Sequence, residues 1–344
     1  MRTGPLLTIG QVVVVIIAIL AVAAAIIAAV TLVPPAVRVA NPELPVRAYL
    51  QAIVKGDITK AMKIGRITAD ADDKLLTDAA YGQASDRITS FTVLETTVSG
   101  TTGAVSVRIA QGDHSYVTGF DIARASANPF EPWRLAKQQL PAISLRLQAQ
   151  LDVPLRIGGV DFAVAGGSLT QRVFPGSYET SPRESGAFDV GYATATATFD
   201  AARPAPVRVP VGLTEAGKAS ADAAVNAWLT TCIASTELHP EGCPFQAVPE
   251  ASVTYSNGRW TIQRQPQFAL GDWSDQAEGW PVTPSSPGYV TFSARAREGG
   301  LTGTATTGSN PFSVAGTIVP DASGALHFTP SANYSSPGAA GSLT

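Results

Sequence analysis

Residues Ile88–Thr97, ITSFTVLETT, decide how this chain is read. From Ile88 the apolar period falls to two, the mark of a half-buried strand, and the Thr and Val content suits a pleated surface. Gly103–Ala110 and Ser115–Ala123 repeat that pattern, and Trp133-Arg134-Leu135 makes a last strand. Ser99-Gly100, Gly112-Asp113 and Asn128-Pro129 supply the turn chemistry between them. An antiparallel sheet is therefore expected from Ile88 to Leu135.

Immediately upstream the period is helical. Val46, Tyr49, Leu50, Ile53 and Val54 share one face until Gly56-Asp57 interrupts. Ile58, Ala61, Met62 and Ile64 resume the pattern, with Asp57 placed to cap a second helix. Leu75, Leu76 and Ala79–Tyr81 predict a further helical turn. Helices first and a curved sheet afterwards resembles the NTF2-like (cystatin-like) α+β cone of membrane-anchored bacterial envelope proteins. The residues that carry the likeness are Ala48–Asp57 (AYLQAIVKGD) with Ala61, and the closing Trp133-Arg134-Leu135. It covers residues 42–138 and implies a fold, not a catalytic activity.

Further upstream, Val12–Val33 (VVVVIIAILAVAAAIIAAVTLV) is apolar except for Thr31, and no charge falls between Arg2 and Arg38. As a helix it would measure roughly 33 Å, enough for a hydrocarbon core of about 30 Å. It is too long for the apolar region of a cleaved signal peptide. The expectation is a cytoplasmic N-terminus (1–11), an uncleaved transmembrane signal anchor (12–33) and a Pro-led stalk (34–41). Arg2 on one side and Arg38, Arg47 and Lys55 on the other scarcely orient it. The direction comes from a cysteine pair far downstream and from the low-charge body, which place the bulk of the chain outside the cell membrane.

Downstream, 139–151 reads as a linker. Strand-like segments Pro154–Ala165 and Thr170–Thr180, the Pro175-Gly176 turn and the alternating Gly191–Phe199 predict a small β-sandwich over 152–210. This piece is loosely similar to β-modules of teicoplanin-resistance-associated membrane proteins. A helix with Ala219, Ala223, Val225, Trp228, Leu229 and Ile233 on its apolar face follows, capped by Thr214. Asn257-Gly258 then signals a hairpin, and Tyr289–Arg297 and Phe312–Val319 read as strands. Helix before sheet repeats the earlier order, so a second NTF2-like module is expected at 213–330, with a disordered tail at 331–344. The fold class is thus α+β: a transmembrane helix and two NTF2-like cones flanking a small β-sandwich.

Composition narrows function more by exclusion. The 344 residues carry a net charge of −3 and only 15% charged residues, with no Lys/Arg cluster for phosphates, which argues against nucleic acid. Cys232 and Cys243 are an even, close pair; in an exported chain they suggest a disulfide. A zinc site using His239 fits no usual spacing. His114, His239 and His327 lie far apart, and Asp70, Asp72 and Asp73 match no calcium loop. No serine elbow, P-loop or dinucleotide fingerprint is present. His114, Tyr116 and Asp121 do not share one strand face, so no acid–base pair is assigned. No catalytic, cofactor or metal residues are expected. Trp273 and Trp280, in a polar Gly/Asp-rich loop, are candidate aromatics for binding a partner or a glycan. The expected function is a non-enzymatic scaffold or sensor of the bacterial cell envelope that binds a protein or cell-wall component. The alternatives are a small-ligand or enzymatic pocket in one cone, and an assembly component of a secretion or conjugation apparatus.

Overall fold

The structure, a computed structural model, describes residues 41–201, 205–331 and 340–342. The chain divides into two compact units. The first takes described residues 41–70 together with Asp86–Leu140; the second takes Ala71–Ser85 and the chain from Pro141 onward.

The first unit opens with α1 (Leu44–Val54) and α2 (Ile58–Gly65). Pro45 stands in the first turn of α1, where its missing N–H costs nothing. Asp57 caps α2 by accepting from the Lys60 N–H at 2.9 Å. An antiparallel sheet follows in the order β1 (Ile88–Ser99), β2 (Thr102–Gln111), β3 (His114–Ala123) and β4 (Arg134–Leu135). Val105, Val107 and Ile109 alternate onto the buried face of β2, with Phe120 and Ile122 of β3 also buried. On the helices, Val46, Tyr49, Leu50, Ile53, Ile58 and Ala61 are buried, and Tyr49 meets Phe120 edge-on at 6.0 Å. Two bulges in β1 bend that strand.

The second unit begins with the detached segment Ala71–Ser85, which carries α3 (Asp78–Gln83), capped by Thr77. Strands β5 (Ala142–Leu147), β6 (Leu155–Ile157), β7 (Val160–Phe162), β8 (Ser168–Arg172) and β9 (Gly176–Ser181) come next. They are followed by β10 (Arg183–Ser185), β11 (Phe188–Val190), β12 (Thr194–Ala197), β13 (Val207–Val209) and β14 (Val211–Leu213). These make three small sheets: β10-β11-β14, β12-β9-β6-β7 and β13-β5-β8. Gly158 and Gly159, at φ +55° and +78°, turn β6 into β7.

The long helix α4 (Glu215–Ala234) follows, its Thr214 cap accepting from Gly217 at 3.1 Å. Then come β15 (Gln246–Val248), β16 (Thr254–Arg264), β17 (Gln267–Leu270), β18 (Trp280–Ser286) and β19 (Gly288–Glu298). The last are β20 (Leu301–Thr306), β21 (Asn310–Phe312), β22 (Gly316–Pro320), β23 (Leu326–Pro330) and β24 (Ala340–Ser342). They form two four-stranded sheets, β16-β19-β20 with β21 on β19, and β17-β18-β22-β23, while β15 pairs with β24. Pro287 between β18 and β19 cannot donate to a ladder, and the chain changes sheet there.

The expected α+β class is therefore corrected. Among the described residues 46% are strand and 16% helix, spread over several small sheets. Among the described residues helix is confined to four segments, and the strands after α4 split into two sheets instead of forming one cone. The expected span 12–33 lies outside the described residues; among these, no helix is long and apolar enough to cross a membrane. The expected tail, 331–344, also falls largely outside them. Ala71–Ser85, expected within the first module, belongs to the second unit. There Leu75, Ala80 and Ala84 join one continuous apolar core that includes Leu145, Ile157, Tyr178, Val209, Val225, Trp260, Phe292 and Ile318. Residues 152–210 and 213–330 thus share a single core.

Candidate functional site

The second unit holds a cleft of about 520 Å³ whose chemistry comes from Arg146, Arg208, Trp273, Asp275, Glu278 and Asp321. Each arrives from a different piece of chain. Arg146 and Arg208 face one another in register because β13 pairs with β5 in parallel, matching Arg208 to Arg146. Trp273, Asp275 and Glu278 lie on the loop joining β17 to β18. That loop is closed by paired backbone hydrogen bonds between Ser274 and Gly279, at 2.9 and 3.3 Å. Gly279 is obligatory there, since a Cβ would stand 2.3 Å from the Ile318 carbonyl oxygen.

Trp273 is half-buried and held on two sides. Its Nε1–H donates to Asp275 at 3.2 Å, and its ring meets Trp280 at 4.9 Å in a T-shaped contact. Arg208 pairs with the other oxygen of Asp275. Trp280 is only 2% exposed and stacks on Phe188 at 6.0 Å. Of the two tryptophans singled out in the sequence, then, Trp273 lines the cleft and Trp280 supports it from the core.

Asp321 sits in the turn between β22 and β23. It accepts from the Ser323 hydroxyl at 2.7 Å, His327 at 2.9 Å, and the backbone N–H groups of Ser323 and Ala325. The Ser323 hydroxyl, then His327 and the Ala325 N–H, hold its carboxyl well below the usual carboxylate range. The carboxylate is filled by its own turn. Elsewhere, burial pushes the Tyr178 phenol far up, outweighing its donation to the Phe174 carbonyl at 2.8 Å. Tyr178 therefore stays protonated and serves the core.

Cys232 and Cys243 form a disulfide, tying the end of α4 to the loop after it. The remaining sequence candidates do not converge. His114 and Asp121 are exposed, and Tyr116 donates to Gln111 at 2.9 Å. Asp121 edges a shallow hollow of about 510 Å³ in the first unit, where the other polar side chains lining the walls are Thr and Ser hydroxyls. Asp73 is paired with Arg172, and His239 is exposed. Among the described residues no three His, Cys, Asp or Glu side chains are grouped to hold a metal. Arg146, Arg208, Glu278 and Asp321 carried no sequence signal, because only the β5–β13 pairing and the two loops bring them together. Comparison of the chain with protein-family models, curated proteins and solved structures finds no match.

Proposed function

We propose that the protein is a binding module of the cell envelope, displayed outside the membrane, which captures a cell-wall component in the cleft around Trp273. The observation that carries this reading is the cleft itself: an immobilised, half-buried indole rimmed by cationic and anionic groups. Such a wall recognises a polar ligand by ring stacking and directed hydrogen bonds. The disulfide agrees with an oxidising location. The role is retention of a ligand, not its turnover.

The test is co-sedimentation of the full-length protein with isolated cell wall. Trp273→Ala should lower the bound fraction at least tenfold while circular dichroism shows the fold retained. Equal retention by wild type and Trp273→Ala would overturn the assignment of the cleft, and robust substrate turnover would overturn the non-catalytic role.

A further inference from the structure

We propose that the cleft selects an acidic glycan, whose anion is held by Arg146 while a sugar face lies on Trp273; this rests on the binding reading above.

The charges of the cleft, taken one at a time, lead there. Arg208 is matched by Asp275, and the second oxygen of Asp275 receives the Trp273 Nε1–H. Asp321 is saturated by Ser323, Ala325 and His327. Two ionic groups remain. Arg146 is exposed, and its side chain has no hydrogen-bond or ion-pair partner among the described residues. Glu278 likewise has none, and stands at a backbone φ of +49° in the loop that carries Trp273.

The position of Arg146 is what makes it a ligand group. It lies in register with Arg208 across a parallel pair, so both side chains leave the same face of the sheet. Like charges side by side on a sheet are unfavourable. Asp275 relieves only one of them. An anion entering beside Arg146 would relieve the other, and the guanidinium fork suits the two oxygens of a carboxylate or phosphate. Glu278 is an acceptor for sugar hydroxyls. The fixed Trp273 ring offers a flat apolar surface whose order is already established before binding, which lowers the entropic cost of capture. A neutral sugar would use the ring and Glu278 but leave Arg146 unmatched.

Calorimetric titration of the full-length protein with three probes of similar length tests this: a linear oligouronate, a neutral N-acetylglucosamine oligomer and an oligomer of sugar rings joined through phosphodiesters. At least one acidic probe should bind tenfold or more tighter than the neutral one, with the preference shrinking as salt rises. Arg146→Gln should reduce that ratio to near one. A preference for the phosphate probe over the uronate identifies phosphate as the anion and supports the proposal. Equal affinities for acidic and neutral probes, or a preference that survives Arg146→Gln, overturn the acidic selectivity while cell-wall binding through Trp273 still stands. Failure of all three probes to bind overturns the glycan assignment; co-sedimentation of wild type with cell wall then shows whether the broader reading survives.

Discussion

Gly258 has no room for a methyl group. A Cβ there would stand 2.2 Å from the Thr236 carbonyl oxygen and 2.5 Å from the Phe292 ring. Gly258→Ala should therefore destabilise the second unit by about 3 kcal/mol, read as a lower urea midpoint. The pair Asn257-Gly258 had the composition of a hairpin turn, yet it lies inside β16, where the register against β19 slips between Ser256 and Arg259. Asn257, at φ +53°, absorbs the bulge. Local composition specified a backbone irregularity; only the distant Phe292 and Thr236 decide that the strand continues through it. Trp280 teaches the same lesson. Its polar neighbours in sequence suggested exposure, but Phe188, nearly a hundred residues earlier, covers it. At Asp321 the expectation concerns pH. Its folded carboxyl titrates below the unfolded one, so its contribution is complete above the ordinary carboxylate range, near about 4, and declines as pH falls through it. Asp321→Asn should lower the melting temperature more at pH 7 than at pH 3.

Among the elements, α4 shows how pattern and packing diverge. Val225 and Leu229 of the expected face are buried, but so are Gly217, Ala221 and Cys232, while Ala219 and Ala223 are exposed. The helix passes so close to the chain at Ala187 that a Cβ on Gly217 would lie 2.0 Å from its carbonyl oxygen. Small residues, not only large ones, mark the buried stripe here. The disulfide at the end of α4 was legible because two cysteines eleven apart need little geometry to meet. Replacing both by Ala should cost about 3 kcal/mol on the chain-entropy estimate, measured by denaturant unfolding under oxidising conditions. Strands were legible where alternation was sustained: β1, β2 and β3 begin and end within two residues of their expected bounds. The cleft was not, because its walls depend on the parallel pairing of Val207–Val209 with Leu145–Leu147, and periodicity carries no information about partners sixty residues apart.

For the whole molecule, the division into units is the part a linear reading could not supply. A contiguous module was expected from 42 to 138, yet Ala71–Ser85 leaves it and packs with the later chain. Ser85 and Ser177 exchange backbone hydrogen bonds of 3.0 and 2.8 Å, and Tyr81 meets Phe174 edge-on at 6.1 Å. Leu75 is fully buried in that core. Leu75→Ala should thus cost the second unit about 2–4 kcal/mol. Hydrogen exchange checks this: amides of β6 and β9 should lose protection, and those of β2 should not.

The detached segment also sets an order of events during synthesis. Ala71–Ser85 leaves the ribosome long before Phe174 and Ser177, the residues it must meet, exist. While β1 to β4 are being made, Leu75, Ala80, Tyr81 and Ala84, which the later chain covers, form an unsheltered apolar stretch on the nascent chain. A fragment cut after Leu140 would keep that stretch exposed permanently, so the first unit cannot be isolated cleanly by trimming the ends of the chain. Excising 71–85 and joining its flanks with a short flexible bridge is the route to it as a separate piece.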